Sequence, residues 1–392
     1  MNEMEQCTGR NHHIESYRMQ LQYFAQHVEN WQERLENARQ AVRDFPAMPE
    51  FHAEYAQCLA WQFDYPAARQ ELREALRCFA EATARGDTAS LGIFSARQCV
   101  YCQDQLQRWQ RIVRAMSGIR ITACGIMRNE EQAVTGWLDA VRSYSDAIVL
   151  VDTGSTDRTV SLARHWQQET VGVPPLTIRS CPWTDDFSVA RNVALEIADG
   201  DWIAFMDADE TVQSPECVRG LLAAIETEQP EVEAVFAGLH NVDEDQDELE
   251  IQRAVSVRLF RCHPALRYTG RVHEVLQWAD GHPLEAIVEE QRLQIRHTGY
   301  SSRRIQSKIR RNLALLQREI AETGEQPRHA FYLANCYFVL QDYEKALYYA
   351  EKAMASPVKY IGMEQEAACW AAQSRAQLAA EAGKAHKIKK GL

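Results

Sequence analysis

The feature that most constrains this chain is a change in the period of its apolar residues. From residue 1 to about 116 they recur at helical spacing, as in Tyr17, Leu21, Phe24 and Val28, and again in Tyr55, Leu59, Leu72, Leu76 and Phe79. Pro46 and Pro49 cut this stretch into separate helices. Helical spacing returns from about 302 to 386. Between these ends, short apolar runs alternate with amphipathic stretches, the mark of βαβ units and a largely parallel sheet. With 392 residues, 46% hydrophobic and 25% charged, the chain is long enough for two or three domains and too apolar for disorder. The expected organisation is an α/β domain over 118–300 with all-α segments at 1–116 and 302–386.

The helical ends share a repeat. His52-Ala53-Glu54-Tyr55-Ala56-Gln57-Cys58-Leu59 aligns with Ala330-Phe331-Tyr332-Leu333-Ala334-Asn335-Cys336-Tyr337. At the same offset Asp64-Tyr65 matches Asp342-Tyr343, Ala68 matches Ala346 and Ala75 matches Ala353. Small residues at these spacings let antiparallel helices approach closely. The pattern resembles tetratricopeptide (TPR) helix pairs, the second copy more nearly than the first.

Composition excludes several chemistries. A net charge of −12 disfavours general nucleic-acid binding. No apolar run reaches the length of a membrane span, and the polar start Met1-Asn2-Glu3-Met4-Glu5-Gln6 predicts a cytoplasmic protein with no signal peptide. The first lysine is Lys308, so Schiff-base chemistry and a lysine-bearing P-loop are excluded from residues 1–307. The eleven scattered cysteines read as reduced thiols, and Cys99-x-x-Cys102 lacks the second pair a structural zinc site needs.

In the central segment, Arg120–Met127 reads as a buried strand, with Arg128-Asn129-Glu130-Glu131 opening a helix to about Tyr144. Ala147–Asp152 is a second strand, followed by the turn Thr153-Gly154-Ser155-Thr156-Asp157, whose hydroxyls and Asp157 can cap the next helix. Leu176–Arg179 is a third strand. Trp202–Met206 is a fourth, and it runs into Asp207-Ala208-Asp209-Glu210. In an open α/β sheet ligands bind beyond the carboxyl ends of the strands, where Asp152 and Asp207 fall.

The segments Asn129-Glu130-Glu131, Val151–Asp157 and Asp199–Glu210, taken in order, resemble a GT-A glycosyltransferase of family 2. The addition of Trp183–Asn192 is similar to the branch of that family fused to TPR helices, which includes S-glycosyltransferases that modify bacteriocin peptides. The resemblance covers about residues 118–300. It implies a nucleotide-sugar site formed by Arg128, Asn129, Glu130, Asp152, Thr153, Asp186, Arg191 and Asp207. Arg191 is expected to meet the diphosphate, since arginine suits forked phosphate contacts. Asp209 and His297 are the implied ligands of Mg²⁺ or Mn²⁺, a cation that takes few carboxylates and leaves room for phosphate oxygens and water. Thr153 stands where many family members carry a second Asp that contacts uracil, so the base is not fixed by the motif.

Downstream, Asn241–Glu250 reads as a solvated acidic loop, Val255–Phe260 as a strand, and Arg267–Glu274 as a loop carrying a carboxylate at the place of the GT-A general base. Glu274 is the first candidate for that base. His273 is the second, as base or acceptor contact, and a purely structural pair is the alternative. The chain is thus expected to be a metal-dependent, inverting hexosyltransferase. It would act from a nucleotide-sugar donor, with helical ends that present a peptide or protein acceptor or form a homodimer. A cell-envelope saccharide or lipid-linked acceptor is the alternative, and an inactive TPR adaptor the rival from another class.

Overall fold

A computed structural model describes residues 14–20, 23, 30–299, 305–358 and 363–389. Leu21, Phe24, Val28 and Tyr300 lie outside the described residues. The chain forms two compact units, one of Met1–Arg120 with Ser214–Val232, the other of Ile121–Gln213 with Glu233–Leu392. Among the described residues no helix is long and apolar enough to cross a membrane.

The first unit is helical, with its main helices at Trp31–Asp44, Pro49–Trp61, Tyr65–Arg85 and Ala96–Gly118. Ser95 and Gln98 form a reciprocal capping box at the start of the last. Cys99 and Cys102 sit one turn apart on that helix as free thiols. The Glu216–Glu228 helix belongs to this unit although its sequence lies inside the α/β segment. Cys217, Val218, Leu221, Leu222 and Ile225 form its buried face. Gly220 lies against the Phe63 carbonyl, where a Cβ would collide. Arg219 donates to the carbonyls of Met116 and Ile119, closing the Ala96–Gly118 helix.

The second unit holds an eight-stranded sheet in the order β3-β2-β1-β4-β7-β6-β10-β5, with β1 Ile121–Met127, β2 Ala147–Asp152, β3 Leu176–Ser180, β4 Trp202–Phe205, β5 Glu210–Val212, β6 Ala234–Asp243, β7 Leu249–Arg261 and β10 Ile287–His297. The first four are parallel; β1, β2 and β4 are largely apolar and buried on both faces, while β3 lies more exposed at the edge. The remainder is mixed. β7 pairs antiparallel to β4 and to β6, and β10 is parallel to β6. The parallel sheet expected from the alternating pattern is therefore half of the whole, because the long β6–β7 hairpin together with β10 and β5 supplies the other half. A small antiparallel pair, β8 Leu266–Thr269 and β9 Val275–Trp278, stands apart.

β1 lies between β2 and β4, so its carboxyl end is the point where the strand order reverses. Gly125 in β1 gives its Cβ space to the Trp137 ring, 2.6 Å from where a Cβ would stand, and to Met206 O at 3.2 Å. The helix after β1 spans Val134–Val141 and starts later than expected. Asn129 takes a left-handed backbone, φ 58°, that a helix cannot use.

The sequence repeat is a structural one. Pro49–Trp61 and the first part of Tyr65–Arg85 recur as Pro327–Val339 and Tyr343–Met354. In each pair a left-handed residue makes the turn, Phe63 at φ 63° and Gln341 at φ 62°. An aspartate then caps the next helix, Asp64 accepting from Ala67 N at 3.1 Å and Asp342 from Lys345 N at 3.2 Å. Ala68, Ala75, Ala346 and Ala353 are all buried where the helices meet.

Candidate active site

Two loops at the switch point are stapled to each other by short polar side chains. Asn129 Oδ1 accepts from Thr156 N at 2.8 Å, and Ser155 Oγ accepts from Asn129 N at 3.0 Å. Thr159 Oγ1 accepts from Glu130 N at 2.7 Å, and Asp157 Oδ2 from Glu131 N at 3.1 Å. Asp152 closes the turn after β2 by accepting from Ser155 N at 3.0 Å and Gly154 N at 3.3 Å. Thr153 is buried and donates its hydroxyl to the Met127 carbonyl at 3.2 Å. Arg128 is exposed at the rim. The result is a rigid ledge of backbone amides and short side chains along the ends of β1 and β2.

Beyond β4 the carboxylates gather. Arg191, on the Phe187–Ile197 helix, is buried with its guanidinium over the Phe205 ring at 4.7 Å. It binds Asp207 at 2.9 and 3.2 Å, and its Nε donates to Glu274. Asp186 caps this helix, accepting from Ser188 N at 2.9 Å, and so fixes where Arg191 emerges. Asn192, one residue on, exchanges hydrogen bonds with the backbone of Tyr268 at 2.8 and 2.9 Å, tying β8 to the same helix. Through Nε and Nη2, Arg191 joins Asp207 to Glu274.

Glu210, itself buried, holds the turn from the other side. It accepts from Arg258 at 2.6 and 2.7 Å and from Asp207 N at 3.1 Å. Burial pushes the Asp207 carboxyl up, but Arg191 and Arg258 pull it well below the usual carboxylate range. It is therefore ionised at any working pH.

Asp209 and His297 face each other, Oδ2 to Nε2, at 3.4 Å. The pairing of β10 with β5 sets Glu210 opposite His297, and Thr298 N donates to Asp209 O at 3.0 Å. His297 Nδ1 meets Asn241 Oδ1 at 2.5 Å, an acceptor that places a ring proton on Nδ1 and fixes the ring with Nε2 toward Asp209. Burial raises the Asp209 carboxyl, and the His297 ring and the Lys308 ammonium together bring it below its usual range. A carboxylate oxygen and an imidazole lone pair at this separation suit Mn²⁺ or Mg²⁺. Among the described residues no third His, Cys, Asp or Glu joins them, so the remaining positions would fall to phosphate oxygens and water.

Besides Glu210 and Arg258, Asn241 and Lys308 are members of this site that are not among the residues expected from sequence. Asn241 was expected in a solvated loop; it is buried because β6 runs on to Asp243. Lys308, from the Ile305–Thr323 helix, converges with Asp209 and His297 on Gly299. A Cβ there would lie 2.6 Å from His297 Nε2 and 2.9 Å from Lys308 Nζ. The absence of lysine before residue 308 holds, yet a helix beyond the sheet returns one to its edge. His273 and Glu274 follow β8 side by side. The Glu274 side chain turns to Arg191, whereas the His273 ring stacks on Tyr332 with centroids 3.9 Å apart. Burial, with Arg328, Lys308 and Arg311 nearby, pushes the His273 imidazole down to about 3, so the ring is neutral.

Residues 124–304 match the family model described as Glycosyl transferase family 2. Among curated proteins the chain is similar to the SPbeta prophage-derived glycosyltransferase SunS of Bacillus subtilis, 28% identical over 241 residues, which are 60% of this chain and 54% of that protein. It is also similar to a TPR repeat-containing protein of Synechococcus elongatus, 29% identical over 219 residues, 54% of this chain and 50% of the other. The chain spans about half the length of the curated relatives it matches. Among solved structures it is similar to the mannosyltransferase PcManGT from Pyrobaculum calidifontis in complex with GDP-Man and Mn²⁺, at 16% identity and a TM-score of 0.39 over 72% of this chain and 87% of that one. It is similar also to TarS of S. aureus, at 13% identity and a TM-score of 0.36 over 61% and 81%.

Proposed function

From the premise that residues 124–304 are a family 2 glycosyltransferase domain of GT-A type, flanked by TPR-like helices, we propose that the protein transfers a hexose with inversion from a nucleotide-diphosphate sugar to a peptide or protein acceptor. The observation that carries this reading is the constellation after β4: Asp207 and Glu274 joined by Arg191, with Asp209 against His297. Glu274 is the base. The acceptor's hydroxyl or thiol attacks the anomeric carbon from the face opposite the diphosphate and gives its proton to Glu274. The bond from that carbon to the phosphate oxygen breaks, and the nucleoside diphosphate leaves with the electron pair.

Asp152 and the Arg128–Glu130 ledge hold the nucleoside, with Asp207 at the ribose. Asp209 and His297 would hold Mg²⁺ or Mn²⁺, and the cation would supply positive charge for the departing diphosphate. Lys308 adds a second cation at that end. Arg191 is a positioning residue. Its two ion pairs keep the carboxylates of Asp207 and Glu274 in one small space despite their like charge. A peptide acceptor is supported by the helical repeats and by the likeness to a TPR-fused branch.

The test is release of nucleoside diphosphate from a panel of UDP- and GDP-hexoses with MnCl₂, first with water as acceptor and then with added peptides. Glu274→Gln keeps shape and hydrogen-bonding reach but cannot take a proton. It should lose about 10²–10⁴-fold in kcat with little change in donor KM. Full turnover in that variant would remove Glu274 from the reaction. No hydrolysis or transfer with any donor would favour a binding protein.

A further inference from the structure

We propose that the helical hairpin Ile305–Thr323 and Pro327–Val339 positions Glu274, with Tyr332 fixing the loop that carries it, so that these C-terminal helices are part of the catalytic apparatus as well as an acceptor platform. The inference rests on the reading of Glu274 as base and goes beyond it to residues outside the family 2 segment.

The loop Gly270–Glu274 joins β8 to β9. Its backbone is unusual. Gly270 has φ 100° and His273, which has a side chain to accommodate, has φ 53°. Such conformations persist where the surroundings over-determine them, and here the surroundings are the two helices. Arg271 N donates to Glu319 Oε2 at 2.7 Å, and the Arg271 guanidinium reaches Glu322 at 2.6 Å. Val272 is buried in one cluster with Ile309, Leu315, Leu316 and Leu333. The His273 carbonyl accepts from Arg328 Nη1 at 3.2 Å. The His273 ring lies flat on Tyr332, 3° from parallel. Gly270 is required, since a Cβ would stand 2.5 Å from Arg328 Nη2.

Behind these contacts is a buried polar anchor. Glu319 accepts from Arg328 and from His329 Nε2 at 3.0 Å, and all three residues are almost wholly buried. Every residue from Arg271 to His273 is therefore held by the helical hairpin, and the next residue is Glu274. Arg191 holds Glu274 from the sheet side. The carboxylate is fixed between the two, and the hairpin sets its reach toward the acceptor. The neutral His273 ring can lie face to face with Tyr332 without the cost of burying a charge.

Tyr332 is half-buried, so its side chain can be changed at modest risk to folding. Tyr332→Leu keeps apolar bulk but removes the flat surface under His273; Tyr332→Phe keeps that surface. With UDP- and GDP-hexoses and MnCl₂, Tyr332→Leu should lower kcat by about tenfold to 10²-fold, the scale of an ångström of misplacement. Donor KM and Tm should be unchanged, and Tyr332→Phe should match the wild type. Should Tyr332→Leu not fold, Arg271→Gln frees the loop from Glu322 and reads the same loss. Wild-type kcat in Tyr332→Leu beside an inactive Glu274→Gln overturns the positioning role. So does a Tyr332→Phe variant as impaired as the leucine, or a loss that lies in KM or Tm. An active Glu274→Gln instead overturns the base assignment itself, so the two failures are distinguishable.

Discussion

Arg191 shows how much one side chain can settle at a site of this kind. Its cost of burial is met by Asp207 and Glu274 and by the faces of Phe205 and Tyr268. Burial lowers its pKa but the carboxylates more than restore it, and the guanidinium is held well above its usual range. Arg191→Met would leave two carboxylates facing each other with no cation between them. It should destabilise the protein by about 3–5 kcal/mol, the usual cost of breaking a buried pair, measurable by urea unfolding. The sign of the pH dependence follows from the depressed Asp207. Its stabilisation is complete above the unfolded value of about 4 and is lost as pH falls through the lower folded value. The wild type should therefore lose stability below about pH 4 more steeply than Arg191→Met. Equal slopes would mean the pair contributes nothing in solution.

Arg191, Asp207 and Glu274 could each be picked out from the sequence; that the arginine joins the two carboxylates could not. Glu274 lies far along the chain, and only the return of β8 to the Phe187–Ile197 helix brings it near. Asn241 and Lys308 were out of reach for the same reason. A strand that runs three residues past its apolar pattern and a helix that crosses back over the sheet edge leave no local signal.

At the scale of elements the local signals were strong. β1, β2, β3 and β4 lie where the apolar runs end in turn residues, and Asp64, Asp186 and Asp342 cap the helices that follow them. What escaped was decided by geometry rather than composition. The helix after β1 is delayed by the left-handed Asn129, and β7 runs from Leu249 because it pairs with β6 across a hairpin whose outer residues are polar. The packing of β1 against the Val134–Val141 helix gives a direct check. Gly125→Ala would drive a methyl into Trp137 and the Met206 carbonyl, at the base of the Asp207 turn. It should cost about 1–3 kcal/mol by overpacking, read as a lower urea midpoint with an unchanged slope. An unchanged midpoint would show that Trp137 has room to move.

At the scale of the whole molecule, the helical repeats are not equivalent. Both pairs keep the same turn, cap and buried alanines. The second pair alone adds Arg328 and Tyr332 on the loop beside Glu274, and the helix before it adds Glu319 there and Lys308 at Asp209 and His297. Division into a donor-binding centre and acceptor-binding ends was the natural reading of motifs confined to 118–300. The second unit contains both the sheet and the C-terminal helices. The central claim, a metal-assisted nucleotide-sugar site built on Asp209 and His297, is tested most directly by calorimetric titration of UDP and GDP into the full-length protein with and without Mn²⁺, alongside Asp209→Asn. One nucleoside diphosphate should bind the wild type, more tightly with Mn²⁺, and the variant should lose the metal-dependent gain while keeping the wild-type Tm. Equal affinity in both proteins, or a nucleotide affinity indifferent to Mn²⁺, would contradict it.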